Sequence, residues 1–252
     1  MDLDGVLVAN RKAVSASFDG LDAVSKHSLP EQVFRTLRDG LMSGRFAPGQ
    51  RVPLRSIAAA LGTSTMPARE AVNRLVTLGA LILLPNRRVS VPALSAQRYR
   101  DLATTRMIVE SSAAEAATTL LADADIELLC DIHRRIRKCL ADLPKPAAHQ
   151  QYLNLNRQFH FTIYAANGSE LLMTVIETLW LQVGPYLNLT LEDSREWFKT
   201  DQHLPILKAL QSRAPLRVKQ AVREKIDHSA KFMLTHKKLE NLADIQNHNV
   251  SG

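Results

Sequence analysis

The chain has 252 residues, 46% of them hydrophobic, with a net charge of +7 and a pI near 9.6. That is enough apolar material for two compact domains, and it excludes a chain too polar to build a core. The longest apolar run, residues 76–84, is interrupted by Gly79 and stops at Pro85, well short of the roughly twenty residues needed to cross a bilayer.

The opening Met1-Asp2-Leu3-Asp4 is acidic where an export signal is basic, so the expected compartment is the cytoplasm. Residues 1–27 show no sustained periodicity and are expected to form a loosely ordered arm. Pro30 then opens a helix with the apolar row Val33, Phe34, Leu37 and Leu41, and Gly44 and Gly49 bracket the turn after it. A second helix is expected over 54–61, with Ile57, Ala58 and Leu61 inward and Arg55 outward. Gly62 ends it. Thr63, Ser64 and Thr65 supply capping hydroxyls, and Pro67 suits the first turn of a third helix. The buried row of that helix is Ala71, Val72, Leu75 and Leu78, while Met66, Arg69, Glu70 and Asn73 share its exposed face. Two apolar runs, 81–84 and 89–91, flank Pro85-Asn86-Arg87-Arg88, which predicts a basic hairpin.

Two helices, a tight turn and a wing make a DNA-reading module: one helix fits the major groove while the wing meets phosphates. Charge agrees with this reading. Between residues 28 and 94 stand nine arginines (Arg35, Arg38, Arg45, Arg51, Arg55, Arg69, Arg74, Arg87 and Arg88) against Glu31, Asp39 and Glu70, so nearly all of the net charge of +7 sits there. A single surface arginine says little, but this cluster points to nucleic acid. The other basic helical stretch, 133–138, has no aromatic face to insert into a membrane, so no membrane partner is expected.

The segments 44–52, 54–58, 67–75 and 79–81 resemble the winged helix-turn-helix of GntR-family bacterial transcription regulators. The resemblance implies operator contacts by Arg55, Ser64, Thr65, Met66 and Arg69, with the wing tip at Asn86 and Arg87; the exposed face adds Asn73. Thr65 stands where the family usually has arginine, so a bidentate guanine contact is expected to be missing.

After a linker through Ser95 the pattern is helical to the end of the ordered sequence, with segments expected at 96–122, 124–142, 147–166, 169–188, 192–212 and 215–237. The fold class is therefore mostly α: a winged helix-turn-helix domain at 28–94, an all-α helical bundle at 97–237, and a polar tail at 238–252. Cys130 and Cys139 have no neighbouring cysteine to form a zinc knuckle or redox pair and are expected to be buried thiols.

Asn156 and His160 are one helical turn apart and border an apolar row, so they are expected to look inward. Arg106 and Glu110 share a face with Leu102 and Ala113, so Arg106 is expected either to pair with Glu110 or to hold a ligand carboxylate. The region resembles the FCD effector domain of the FadR subgroup through the segments 106–110, 156–160, Asn167 and 203–210. The resemblance implies a small carboxylate effector, contacted by Arg106, Asn156, His160, His203 and Lys225. It also implies a divalent metal on Asn156, His160 and His203, zinc or nickel by the imidazole donors. In ungapped register the last metal-binding histidine of the family falls on Lys225. His228, a turn later, is the substitute, and lysine there would supply positive charge without a metal.

The reading expected from this sequence is a homodimeric, effector-controlled operator-binding protein. Two others stay open: a metal-dependent hydrolase built on His160 and His203, and an architectural DNA-binding protein with no effector. The hydrolase reading lacks a paired catalytic carboxylate beside those histidines.

Overall fold

The computed structural model describes residues 28–85, 88–143, 145–187, 189 and 200–235. The arm at 1–27, the tail at 238–252, and Asn86 and Arg87 at the wing tip lie outside the described residues.

Helix α1 (Leu29–Met42) starts with Pro30, which has no amide hydrogen to leave unpaired, and Glu31, whose charge favours a helix N-terminus. Val33, Phe34, Leu37 and Leu41 are buried, as their spacing predicts. Helices α2 (Leu54–Ala60) and α3 (Thr65–Thr77) are joined through Gly62 at φ 61°, and Gly79 at φ 69° turns the chain out of α3. Both dihedrals lie where a β-carbon is crowded by the next carbonyl, so glycine sets the angle between the helices.

Strands β1 (Ile82–Leu83) and β2 (Val89–Ser90) form the predicted antiparallel wing, with Ile82 opposite Ser90. The sequence did not reveal what holds the other edge of β2. The Val52 amide donates to the Val89 carbonyl at 2.8 Å, and the Val91 amide donates to the Gln50 carbonyl at 2.9 Å. The turn before α2 is thereby a third strand-like layer that fixes the wing root.

Six helices follow among the described residues: α4 (Ala96–Ala117), α5 (Asp123–Ala141), α6 (Pro146–Ala165), α7 (Glu170–Leu187), α8 (Leu204–Gln211) and α9 (Pro215–Thr235). Two differ from expectation. The helix expected to reach residue 122 stops at Ala117, because Arg213, itself at φ 48°, donates to the carbonyls of Thr118 and Leu121 and to Asp123. The helix expected from 192 begins, among the described residues, only at Leu204. There the Asp201 carboxylate accepts the amides of His203 and Leu204 at 3.2 and 3.1 Å, and Pro205 occupies the first turn. Cys139 is buried and Cys130 half-buried, both as free thiols.

Helix α9 lies along α4, α5 lies along α6, and α7 touches both α4 and α1. One continuous apolar core runs from Val33 and Leu41 in the reading head to Trp180 and Ile226 in the second domain. Polar contacts cross the same boundary: Gln150 to the Ser43 carbonyl at 2.9 Å, Arg157 to Asp39 at 3.2 Å, and the Tyr186 hydroxyl to the Pro92 carbonyl at 3.0 Å.

The two domains approach closely at Gly184 of α7. A β-carbon there would collide with the Leu41 carbonyl and lie 2.8 Å from the Met42 Cα. In an isolated helix Gly→Ala gains up to about 1 kcal/mol; here the contact reverses the sign. We expect Gly184→Ala to lower the melting temperature in differential scanning fluorimetry, whereas a rise would mean that the two domains are not seated this closely in solution.

Candidate functional site

Seven of the nine arginines of the reading head fall into two groups. Arg35 and Arg74 pair with Glu31 at 3.0 and 2.7 Å, Arg74 also lies 3.7 Å over the Phe34 ring, and Arg38 reaches Asp39 and Glu177. These hold α1 to its neighbours. Arg51, Arg55, Arg69 and Arg88 instead line one cleft of about 650 Å³ between α2, α3 and the wing, together with Thr65 and Val89. Of the residues expected to read DNA, Arg55, Thr65 and Arg69 are gathered there, and Ser64, Met66 and Asn73 lie exposed at the start and along the face of α3. Met66 is 63% exposed, unusual for so apolar a side chain and consistent with a partner that covers it. Arg51 was not expected as a contact; it enters because the 49–52 segment pairs with β2. No residue spacing signals that pairing.

The second site is inside the helical domain. Glu110 is fully buried and accepts four donors: Arg106 Nε at 2.6 Å and Nη2 at 3.3 Å, the Tyr164 hydroxyl at 2.9 Å, and Trp180 Nε1 at 3.0 Å. Arg106 thus makes the expected pair with Glu110. Tyr164 and Trp180 were missed, since nothing in their spacing links them to a carboxylate two helices away. Burial, reinforced by the Glu110 charge, holds the Tyr164 phenol well above its usual pKa, so it keeps its hydrogen.

Arg106, Asn156, His160 and Lys225 line one cavity with Tyr152, Trp180 and Ser229. His203 and His228 line an adjoining one, with Tyr152 and Lys225 as shared walls. His203 reaches the first group through Asn156, whose Oδ1 lies 3.0 Å from His203 Nε2 and 3.0 Å from Lys225 Nζ. His160 Nδ1 lies 3.1 Å from the Tyr164 hydroxyl, and His160 Nε2 is buried with no hydrogen-bond partner. Burial, aided by Lys225, pushes both His160 and His203 well below their usual pKa, so both rings are neutral. Burial and the Arg106 charge drive Lys225 down to about 7, against the pull of Glu110.

The expected metal does not fit these donors. An ammonium only donates, so Asn156 must turn its oxygen to Lys225, and with His203 donating as well both lone pairs are taken. His203 Nε2 therefore carries its hydrogen and offers no lone pair. His228 lines the neighbouring cavity rather than the one His160 enters. Among the described residues no three His, Cys, Asp or Glu side chains come together as a metal-binding group.

A short helix held out by a partner beside a basic, doubly anchored wing defines a winged helix-turn-helix DNA-binding protein, here joined to a helical bundle that encloses a charged cavity. Known proteins sharpen this. Residues 29–91 match the gntR family of bacterial regulatory proteins and residues 101–228 match the FCD domain, so the chain belongs to the FCD-containing GntR family of transcriptional regulators. It is 30% identical over 168 residues to the HTH-type transcriptional regulator McbR of Escherichia coli K12, covering 66% of this chain and 74% of that protein. It is 28% identical over 195 residues to the Nta operon transcriptional regulator of Aminobacter aminovorans, covering 77% of this chain and 84% of that one. The solved structure of E. coli McbR/YncC superimposes with a TM-score of 0.74 at 26% identity, over 84% of this chain and 99% of that one. A GntR regulator from Rhodococcus sp. RHA1 shares the fold, with a TM-score of 0.68 at 20% identity over 83% of this chain and 99% of that one. These relatives are regulators rather than enzymes, which sets the hydrolase reading aside.

Two outcomes test the buried cluster. Removing Glu110 leaves Arg106 charged and unpaired, so Glu110→Ala should cost about 3–5 kcal/mol in urea unfolding. The second concerns Lys225, which titrates near 7 in the fold and near 10.4 when unfolded. Between those values the unfolded chain binds more protons, so stability rises with pH; below about 7 the penalty of burying the charge is present in full. Lys225→Met should therefore melt higher than the parent at pH 7, with the gap closing toward pH 10. A gap independent of pH would mean that Lys225 is charged throughout.

Proposed function

We propose that this regulator binds operator DNA as a homodimer and that a small carboxylate in the helical domain changes its affinity. The observation that carries the DNA reading is the cleft between α3 and the wing, where Arg51, Arg55, Arg69 and Arg88 face one open space. Four cations on one concave face suit a polyanion that offers phosphates and base edges together. Arg55, Ser64, Thr65, Met66, Arg69 and Asn73 are assigned to the operator, with Asn86 and Arg87 at the wing tip from the family resemblance. A single recognition helix touches only a few base pairs, so two copies on two half-sites are needed for a specific site. No described helix is long and apolar enough to cross a membrane. A cytoplasmic location belongs to this reading, because operator DNA lies there.

The carboxylate reading rests on the interior charge. Arg106 and Lys225 face one cavity while only Glu110, itself enclosed by donors, balances them. Helix α7 connects the two activities: Trp180 and Leu187 line the cavity, and Gly184 between them is seated against α1 of the reading head. A ligand that moves α7 moves the recognition helix with it.

A mobility-shift assay on DNA from upstream of the gene, with and without small carboxylates, tests the whole reading. Arg69→Ala should cost on the order of 1–3 kcal/mol in operator affinity, with a relaxed base preference at one position. Arg51→Ala and Arg88→Ala should weaken all DNA similarly and flatten the salt dependence by about one unit of slope each. Unchanged operator binding in all three would remove the cleft from the interface. Light scattering should give twice the chain mass at micromolar concentration.

A further inference from the structure

The hydrogens in the cavity wall can be placed from its donors and acceptors. Glu110 is a carboxylate that accepts from Tyr164, so the single phenolic hydrogen points at Glu110 and the Tyr164 oxygen is left as an acceptor toward His160. His160 Nδ1 must then carry the hydrogen of that bond. A neutral imidazole has only one, so His160 Nε2 is a bare lone pair, and it is the nitrogen that is buried with no partner. An unmet acceptor in a dry interior is costly, and a ligand that donates to it removes the cost. In the wall of the same cavity Lys225 Nζ is a donor whose bond to Asn156 Oδ1 is dispensable, because His203 Nε2 satisfies the same oxygen. The cavity therefore offers one acceptor and one mobile cation.

We propose, building on the effector reading above, that this cavity takes a small hydroxy acid without a metal: Lys225 binds the carboxylate directly and His160 Nε2 accepts the hydrogen of the hydroxyl. The ammonium replaces the metal as the positive charge, and His160 Nε2, buried without a hydrogen-bond partner, is turned from a would-be ligand into a reader of the ligand's O–H. Size follows from the space available. The cavity leaves about 20 Å³ for the centres of water molecules, room for a water or two, so the ligand is small and its entry requires Lys225 to swing off Asn156. A plain carboxylic acid of the same size satisfies Lys225 and leaves His160 unmet. A buried acceptor of that kind discriminates strongly against an analogue lacking the hydrogen.

Glycolate and acetate differ by that hydroxyl and serve as the probes. The full chain, treated with a chelator and dialysed, is titrated with each by calorimetry, alone and with added Zn²⁺. Glycolate should bind the metal-free protein and acetate at least tenfold more weakly, with Zn²⁺ changing neither. Lys225→Met should lose both, and His160→Phe should bring the two affinities together. Side-chain ¹⁵N spectra of the ligand-free protein should show His160 with a protonated Nδ1 and a bare Nε2, a readout that does not depend on binding or on the folding of any variant. Binding that appears only with Zn²⁺, or stoichiometric Zn²⁺ uptake lost in His160→Phe, overturns the metal-free site but leaves the carboxylate effector standing. Equal affinity for glycolate and acetate overturns the role of His160. No binding of either under any condition overturns the effector reading itself, while operator binding is judged separately by mobility shift.

Discussion

A carboxylate sealed in a protein interior is tolerable only if its charge is met on every side, and Glu110 sets that requirement for the helical domain. Its donors come from three helices: Arg106 on its own α4, Tyr164 on α6 and Trp180 on α7. Each is therefore both a packing residue and an electrostatic obligation, and the three helices have little freedom to slide. The consequence extends past the carboxylate. Because Glu110 takes the Tyr164 hydrogen, the tautomer of His160 is decided two bonds away, and with it the chemical character of the cavity wall. The polarity of the site is thus inherited from the Arg106–Glu110 ion pair.

The same helix that brings Trp180 to Glu110 brings Gly184 to α1, so the constraint on the cavity and the constraint on the reading head meet in one rigid element. Around that contact the boundary is closed by bonds of ordinary strength, from Gln150, Arg157 and Tyr186, any of which water could replace. Such an interface combines a steric seat that cannot be improved with polar ties that can be exchanged. It suits a joint that must hold one geometry and still rearrange when the cavity fills.

The reading head was legible from sequence because its signals are local. Helical spacing in α1 and α3, the glycines at 62 and 79, and the turn chemistry at 85–88 each act over a few residues, and together they define two helices and a hairpin. What escaped was non-local: the 49–52 segment on the far edge of β2, which places Arg51 in the cleft, and the Arg213 guanidinium that ends α4 nearly a hundred residues earlier in the chain. The cavity shows the same division. Asn156 and His160 are adjacent by helical spacing and face inward as expected, and Lys225 stood out against the family pattern. Which donors were already spent could not be read from the sequence, because it depends on Tyr164, Trp180 and His203 arriving from separate helices. A ligand set that looks complete in one dimension is partly consumed by its own internal bonds in three.

Gly184 also bears on how regulators of this build diversify. Reading heads and sensing domains are attractive units to recombine, since one decides the gene and the other the signal. Here an exchanged head finds its seat only if the incoming helix presents its carbonyl at the same height, and an exchanged sensor only if its counterpart of α7 carries no side chain at that position. Sequence identity across the junction is thus a poor guide to whether two halves are interchangeable. A single absent methyl group acts as the gauge of that fit.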